Sequence, residues 1–524
     1  MILRIILRML KPTSFPDNIA DLKALLSAQL VEVAALTAER DLLREEKNDD
    51  LQQIQRLALL IDKLRRMLFG RKSEKLMQQI EQLQLELEEL HINQGERTQQ
   101  AAAPDKPTRS APNRRLLPEH LPRDTQEHLP HDASCPDCGG AWQCLGEDVS
   151  EVLEYVPSSF RVTRHVRPRL SCTGCERIGQ APAVSRPIAR SYAGPGLLSR
   201  IMVSKYLDHQ PLYRQAQIHA REGVELSEST LGDWVGGVHK LVRPLVDALQ
   251  RHIFSATKLH TDDTPIAVLA PGNGKTRQGR LWVYARDDRS SGDTTPPAVW
   301  YRYSPDRKGI HPQTHLKDYV GILQADAYAG YNEIYKTGRV IEAGCWAHAR
   351  RKFYDMHAQR PTPITTHVLE QIKVLYQIEA GIRGRPPDER KAVRQEHAAP
   401  LIAALHAWLI EQRPKISRKS TTAEAIGYAM NQWQALTRYL DDGRIEIDNN
   451  AAERALRGVA LGRKNYLFLG SDAGGERAAT MYSLLGTAKL NDINPEAYLT
   501  HVLSVIADHP VNRIDELLPW NVKL

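Results

Sequence analysis

Three carboxylates in the second half of the chain have the residue type and local pattern for phosphodiester chemistry. Asp262 lies in the strand-like run TKLHTDDTPIAVL, Asp326 follows the apolar run YVGILQA, and Glu453 lies in the helix-like run NNAAERALRGVAL. Carboxylate oxygens are the ligands that Mg²⁺ and Mn²⁺ prefer. If the three acids converge, they predict a site for two magnesium (or manganese) ions about 3.5–4 Å apart, one activating the attacking oxygen and one stabilising the leaving oxygen. A single Asp at a strand end is more often a turn former, so the prediction depends on all three acids.

Several cations surround the third acid in the sequence. They are Arg454, Arg457, Arg463 and Lys464. Arg457 follows Glu453 by four residues and therefore shares its helix face. A metal-binding acid beside cations is typical of a site that receives a scissile phosphate. The preceding Asn449 and Asn450 are good capping residues, which is their simplest interpretation.

Four of the six cysteines form two closely spaced pairs, Cys135-x-x-Cys138 and Cys172-x-x-Cys175. Two residues between thiolates allow both sulfurs to reach one ion, and four thiolates suit one structural zinc. Gly139-Gly140 permits the tight turn that such a pair needs. Too few cysteines are present for a disulfide framework in a chain of this length. We therefore predict a zinc-binding module over residues 134–178.

The insert between the cysteine pairs predicts a hairpin with a basic strand. The run EVLEYV is followed by a turn at Pro157-Ser158-Ser159 and then by FRVTRHVRPRL. Alternation along the second strand places four residues on one face: Arg161, His165, Arg167 and Arg169. This face is a candidate DNA contact. The alternative is a purely structural zinc ribbon.

The composition limits the class of protein that must position these groups. The chain has 524 residues, of which 42% are hydrophobic and 25% charged, and a net charge of +7. These values are typical of a globular protein and exclude disorder along the whole length. No stretch approaches the roughly 18 apolar residues of a membrane helix, and Arg4 and Arg8 interrupt the apolar opening. We expect a cytoplasmic protein, without a membrane partner, whose mild positive charge permits a nucleic-acid partner.

The N-terminal quarter has the pattern of an assembly segment. Residues 20–92 lack proline and carry leucines at heptad spacing, such as Leu36, Leu43, Leu57 and Leu64, with a break at Gly70. This pattern predicts a leucine-zipper-like coiled coil, the alternative being an antiparallel hairpin. Residues 1–19 remain unassigned. Residues 93–133 are rich in proline and predict a linker.

Residues 179–255 are predicted to be helical. The run PLYRQAQIHARE ends at Gly223, and Ser227 is a candidate N-cap for the next helix. This outline favours a helix-turn-helix DNA-binding region, with two ordinary packed helices as the alternative. Cations outnumber the single acid, Asp208, between residues 180 and 221. They are Arg186, Arg190, Arg200, Lys205, Arg214 and Arg221.

The remainder of the chain predicts an α/β core with a helical insertion. Three strands (257–269, 279–287 and 298–304) precede a helix, a buried strand ending in Asp326, and a last strand leading into a basic helix with Arg350 and Arg351. This order is that of a ribonuclease-H-like fold, in which acids from the first strand, the fourth strand and a later helix converge. The core would span 256–354 and 446–492. Residues 355–445 form an all-helical insertion, and 493–524 form a C-terminal tail.

Long stretches of the chain resemble one family, the transposases of the IS66 group of bacterial insertion sequences. The matching runs include LFGRKSEKL, CPDCGG, GEDVSEVLEYVP, KYLDHQPLYRQ, REGVELSESTLGDWV, HTDDTP, ADAYAGYN, CWAHARRKF and NNAAERALRGVALGRKNYLFLGS. The resemblance covers about residues 20–510, and the matching runs follow the family's order. The resemblance implies a DDE-type transposase whose catalytic triad is Asp262, Asp326 and Glu453. The family usually has Asp-Glu-Thr where this chain has Asp262-Asp263-Thr264, so Asp263 is a nearby competitor. Residues 1–16 match nothing in the family.

The resemblance implies a protein that binds the terminal inverted repeats of its own element. It would cleave each end to expose a 3′-OH and join that hydroxyl to target DNA. The coil would form a homo-oligomer at the nucleoid, and small accessory proteins of the same element are further expected partners. The alternatives are a catalytically silent DNA-binding protein, a nuclease without strand transfer, and a coiled-coil scaffold.

Overall fold

The computed structural model describes Val33, Thr37, Gln55 and most of the chain from Leu117 to Leu524. It does not describe residues 120, 130–137, 139, 157–158, 271–274 and 467, or the side chain of Lys464. Two compact units are present, Met1–Leu83 and Gln84–Leu524. In the first unit Val33, Thr37 and Gln55 are helical, and the rest of the predicted coil lies outside the described residues. No helix in the described part of the chain is long and apolar enough to cross a membrane.

The predicted hairpin is the centre of a small mixed sheet. Strands β1 (Arg123–Glu127), β2 (Trp142–Val156), β3 (Ser159–Cys172) and β4 (Ile178–Gly179) form it, with β3 between β1 and β2. Strand β2 is antiparallel to β3, whereas β1 is parallel to it.

Residues 93–133 are predicted to be a linker, but they contain strand β1. The backbone N–H of His128 donates to Val166, and that of Val162 donates to Pro122. The Arg123 guanidinium also forms an ion pair with Glu151 at 3.0 Å. Prolines flank the strand without interrupting it, so the ladder with β3 can form.

The next region is helical, as predicted, and comprises α1 (Pro195–Tyr206), α2 (Leu212–Arg221) and α3 (Glu228–Phe254). Ser227 caps α3 by accepting a hydrogen bond from the Thr230 backbone N–H at 3.1 Å. Gly223 in the preceding turn has a φ of +84°, which favours glycine. Thirteen of the 27 residues of α3 are buried, including Trp234, Val238 and Leu249. This burial is what the packed-helix alternative expects, and the helix-turn-helix interpretation stays a prediction.

The second sheet has five strands in the order β7-β6-β5-β8-β9. They are β5 (Lys258–Val268), β6 (Arg277–Arg286), β7 (Ala298–Ser304), β8 (Gly321–Gln324) and β9 (Val340–Ala343). Strands β5 to β7 are antiparallel neighbours, whereas β8 and β9 run parallel to β5. The short helices α4 (Ile310–His315) and α5 (Asn332–Tyr335) lie between the later strands. The three consecutive strands and the two later ones are therefore present as predicted.

Residues 355–445 are helical, as predicted, and have a hydrophobic core of their own. The helices are α6 (Trp346–Gln359), α7 (Pro363–Ile382), α8 (Pro387–Val393), α9 (Ala399–Gln412), α10 (Thr421–Asn431) and α11 (Trp433–Thr437). Their apolar faces enclose Phe353, Ile372, Leu405 and Ile426. Trp346 joins this cluster to the edge of the sheet at Ala343.

The chain ends with α12 (Asn450–Asn465), α13 (Asp472–Leu490) and α14 (Pro495–Val505). The segment predicted as a C-terminal tail, residues 493–524, contains α14 and packs in the protein core. Tyr498, Leu499, Val502 and Leu503 are fully buried in the same core as the second sheet. The apolar spacing of these residues gives α14 one buried face, and burial of that face stabilises the segment.

Candidate active site

The register of two parallel strands brings Asp262 and Asp326 to the same edge of the sheet. His260 of β5 pairs with Gln324 of β8. Asp262 and Asp326 each lie two residues beyond this pair. Parallel strands advance together, so the two carboxylates reach neighbouring positions.

The charges of the three predicted acids act on one another. The pKa of Asp262 is raised to about 7, mainly by burial. A hydrogen bond from the Asp263 backbone N–H opposes the rise, and the negative charges of Asp326, Asp263 and Glu453 contribute to it. Repulsion among carboxylates is what a bound cation relieves. Asp262, Asp326 and Glu453, which are far apart in sequence, therefore lie in one electrostatic cluster.

Asp263 has different partners from those of its neighbour. Its side chain is 2% exposed and forms ion pairs with Arg280 at 3.0 Å and with Arg307 at 2.9 Å. Successive residues of a strand project to opposite faces, so Asp262 and Asp263 meet different surroundings. Two guanidinium groups therefore bind the Asp263 carboxylate.

Arg307 connects the two aspartates that flank this edge. It contacts Asp263 and also lies 3.7 Å from the Asp326 carboxylate. Its guanidinium stacks over the Tyr328 ring at 4.3 Å. The Tyr328 backbone N–H in turn donates to Asp326 at 3.2 Å. The turn after β7, which sequence reasoning did not single out, therefore orients Asp326.

Glu453 enters from the first turn of α12. Its Oε1 is buried without a hydrogen-bond partner among the described residues. The nearest cation-forming group is His348, whose Nδ1 lies 3.8 Å away. A buried carboxylate oxygen without a donor is poorly satisfied by the protein alone.

Asn449 does not cap α12 through its side chain, contrary to the simplest prediction. The side chain is fully buried, and its Nδ2 donates to the Thr261 carbonyl at 2.7 Å. Its Oδ1 lies 3.0 Å from His260 Nδ1, which donates to it. Burial lowers the pKa of His260 to about 4, and the positive charge of Lys258 adds to the effect, so the imidazole is neutral. Asn449 thus fixes the start of the Glu453 helix to the residue before Asp262.

The cations predicted around the acids occupy three kinds of position. Arg350 and Arg351 line a cavity of 520 Å³ together with Glu453. Arg454 and Arg457 are exposed on α12. Arg463 instead donates to the Pro265 carbonyl at 2.7 Å and so supports β5. Lys464 has no described side chain.

The cations predicted on the first helices lie outside this cluster. Arg214 and Arg221 are exposed on α2. Lys205 lies at the end of α1, with its ammonium 5.8 Å from the Tyr206 ring centre.

Three of the four predicted zinc ligands are close together. The sulfurs of Cys138, Cys172 and Cys175 lie within 4.8 Å of one another, and Cys135 lies outside the described residues. Burial would raise the pKa of the Cys172 thiol, but hydrogen bonds from Cys138, Cys175 and Gly174 lower it to about 6. Such a thiol readily becomes the thiolate that zinc requires.

The basic face of β3 is neutralised within the sheet. Arg161 pairs with Asp124 at 2.8 Å, and Arg169 pairs with Asp148 at 3.1 Å. Arg167 lies 3.5 Å from Asp148 and donates to the Ala181 carbonyl. His165 is buried and contacts His128 rather than facing solvent with the arginines.

Comparison with known proteins gives one consistent family. The family model "Transposase IS66 family" matches residues 190–477, and "IS66 C-terminal element" matches 483–520. "Zinc-finger binding domain of transposase IS66" matches 132–176, and "Transposase C of IS166 homeodomain" matches 56–125. The chain belongs to the IS66 transposase family.

Two proteins of Sinorhizobium fredii are related to this IS66-family chain over nearly all of their length. The uncharacterized protein y4hP is 43% identical over 491 residues, which are 89% of this chain and 88% of y4hP. The uncharacterized protein y4qI is 37% identical over 528 residues, which are 97% of this chain and 98% of y4qI. The resemblance found in the sequence is therefore confirmed at the level of the family.

The family models also agree with two local features. The zinc-finger model spans all four cysteines of the predicted zinc module. The C-terminal model spans α14, which fits its packing in the core. Sequence reasoning missed Arg307, His348 and Asn449 as site residues, because their partners are distant in sequence and no local pattern marks them.

Proposed function

We propose that this IS66-family protein is a DNA transposase with a ribonuclease-H-like catalytic core. It binds the terminal inverted repeats of its element, cleaves one strand at each end to expose a 3′-OH, and joins that hydroxyl to target DNA. The observation that carries the proposal is the electrostatic cluster of Asp262, Asp326 and Glu453 at one edge of the second sheet. The strand order β7-β6-β5-β8-β9 supports the proposed fold.

The three acids fit two magnesium or manganese ions. The Glu453 Oε1 has no donor among the described residues, and burial together with neighbouring negative charge raises the pKa of Asp262. A bound cation would stabilise the charged form of both carboxylates. The ions would supply Lewis-acid activation of the attacking oxygen and of the leaving oxygen at a phosphodiester. The proposed ligands are Asp262, Asp326 and Glu453. Asp263 is not among them, because it forms ion pairs with Arg280 and Arg307.

The remaining charged groups are proposed to hold DNA around this centre. Arg350 and Arg351 line the cavity that Glu453 also lines, and Arg454 and Arg457 extend the positive surface along α12. Guanidinium groups bind phosphates in bidentate geometry, which would orient the strand for in-line attack. Water and then the 3′-OH serve as nucleophiles, so no covalent protein–DNA intermediate forms.

The other modules are proposed to bind and assemble. One zinc ion held by Cys135, Cys138, Cys172 and Cys175 would stabilise the ribbon. The α2 surface, with Arg214 and Arg221, is a proposed contact for the element ends. The N-terminal segment would join copies of the chain so that both ends are processed together, with small accessory proteins of the element as further partners.

The test is a magnesium-dependent cleavage and strand-transfer assay on DNA carrying the ends that flank the gene. We expect joined products from the wild type and none from Asp326→Asn. The matched control is Asp318→Asn, which makes the same charge change at an exposed side chain and should leave the products unchanged. Equal activity of the wild type and Asp326→Asn would overturn the triad.

The same assay separates the two alternatives. DNA that is bound but never cut would favour a catalytically silent DNA-binding protein. DNA that is cut but never joined would favour a nuclease of the same fold.

A further inference from the structure

Three groups of metal-ligating type meet where helices α6 and α12 begin. The Cys345 sulfur, a His348 ring nitrogen and a Glu453 carboxylate oxygen lie within 4.8 Å of one another. Cys345 directly precedes α6, and His348 lies in its first turn. Residues three positions apart in a first turn share a face, so this spacing aims both side chains at Glu453.

Two of these three ligand atoms have no hydrogen-bond partner among the described residues. His348 Nδ1 and Glu453 Oε1 are both buried, and 3.8 Å separates them, which is too far for a hydrogen bond. Buried polar atoms are nearly always satisfied, and an absent ion is one recognised reason for an exception. Two ligands that bind the same tetrahedral ion at about 2.0–2.3 Å are about 3.3–3.8 Å apart.

The third ligand is held in place by the backbone. Cys345 is 3% exposed, and its sulfur accepts a hydrogen bond from the Asn449 N–H at 3.2 Å. The interaction links the start of α6 to the residue that precedes α12. The three groups are therefore positioned by two helix starts that are tied together.

We propose that Cys345, His348 and Glu453 form a binding site for one transition-metal ion of the Zn²⁺ class. Thiolate and imidazole ligands select zinc-like ions over magnesium, which prefers oxygen. Three protein ligands leave a fourth position for water or a phosphate oxygen, as in open zinc sites. This site is separate from the predicted zinc site of Cys135, Cys138, Cys172 and Cys175.

A zinc ion bound at this site would compete with the proposed magnesium ions for the Glu453 carboxylate. This consequence, unlike the binding itself, depends on the proposed function. Zinc is then expected to inhibit magnesium-dependent strand cleavage by the wild type. Zinc binding is measured without DNA, so failure of the transposase assay and failure of this proposal are distinguishable.

The test is the zinc content of the full-length protein after equilibration with excess Zn²⁺ and gel filtration. We expect two zinc ions per chain in the wild type and one in Cys345→Ser and in His348→Gln. His348 is partly exposed, so the second variant guards against misfolding of the first. Cys175→Ser should lose only the ribbon ion, and Cys144→Ser, an exposed cysteine outside both clusters, should keep both.

Cobalt provides a second readout in the Cys175→Ser protein. Co²⁺ bound to Cys345 is expected to give a thiolate-to-cobalt charge-transfer band, which the added substitution Cys345→Ser removes. One zinc ion in the wild type that vanishes with Cys175→Ser would overturn the proposal. So would a zinc content of Cys345→Ser equal to that of the wild type.

Discussion

Two adjacent aspartates have opposite electrostatic surroundings. Asp262 lies among carboxylates, and burial together with those charges raises its pKa to about 7. Asp263 is held by two arginines, Arg280 and Arg307. The same residue type thus lies beside other carboxylates at one position and forms ion pairs with two arginines at the next.

Asp262→Asn is expected to stabilise the metal-free protein above neutral pH. The folded pKa is about 7 and the ordinary value is 3.8, so between these values the folded state holds the proton that the unfolded state has released. Wild-type stability therefore falls as the pH rises through this window. Urea unfolding at about pH 8 should show a gain of at most about 4 kcal/mol for the variant. The gain should vanish below about pH 4, where both states are protonated.

Asp263→Asn is expected to lower stability. Burial raises the pKa of Asp263 as it does that of Asp262, but at Asp263 the charges of Arg307 and Arg280 oppose the rise, and both arginines lose their partner in the variant. The substitution leaves Arg280 and Arg307 beside a neutral group, and breaking a buried pair costs about 3 kcal/mol. Urea unfolding over the same pH range measures this loss in the free energy of unfolding. Stabilisation by Asp263→Asn, or destabilisation by Asp262→Asn at high pH, would contradict the division of roles between these neighbours.

At the scale of elements, Asn449 joins the Glu453 helix to strand β5. Asn449→Ala removes the hydrogen bonds to the buried residues Thr261 and His260. We expect a loss of about 2–3 kcal/mol in the free energy of unfolding and weaker strand cleavage. Asn465→Ala, near the exposed end of the same helix, is the control and should have little effect. Full activity of Asn449→Ala would show that α12 needs no such anchor.

Buried charged side chains join the helices of residues 355–445 to the second sheet. Arg394 is fully buried and binds both oxygens of Glu379 at 2.7 Å. Arg390 contacts Glu379 at 3.4 Å and Glu446 at 3.0 Å. The Glu446 carbonyl in turn accepts a hydrogen bond from Gln324, the last residue of β8. A continuous set of contacts therefore leads from the insertion to the strand that precedes Asp326.

Arg394→Ala is expected to cost about 3–5 kcal/mol, because it leaves Glu379 buried without its main partner. Thermal unfolding measures the loss. The double variant Glu379→Leu/Arg394→Met replaces the pair with apolar groups and should recover much of the stability. If it is no more stable than Arg394→Ala, the charges themselves are required.

At the scale of the whole molecule, the C-terminal helix is part of the core. The Glu496 carbonyl accepts a hydrogen bond from Ser199 at 2.8 Å, and the Tyr498 hydroxyl donates to Leu517 at 2.8 Å. Leu499→Ala creates a cavity and is expected to cost about 2–5 kcal/mol in urea unfolding. Ser504→Ala, exposed on the same helix, is the control. Equal stability of both variants would mean that α14 is dispensable.

The sequence by itself determined the local features of this protein. Alternation predicted β5 to β7, helical periodicity predicted the insertion, and Ser227 was correctly expected to cap α3. The motif strings led to the family that the comparisons confirm. These features depend on residues near one another in the chain, where side-chain spacing and backbone preferences act directly.

Only the tertiary structure decided which distant groups meet. In the folded protein Asp263 pairs with two arginines, and the Asn449 side chain binds Thr261 and His260 instead of capping α12. Strand β1 pairs with β3, and α14 packs in the core. Folding also brings Cys345 and His348 close to Glu453. Each of these contacts links residues far apart in sequence, or is chosen by burial among several local options. Local pattern carries no information about such partners, because packing of the whole chain selects them.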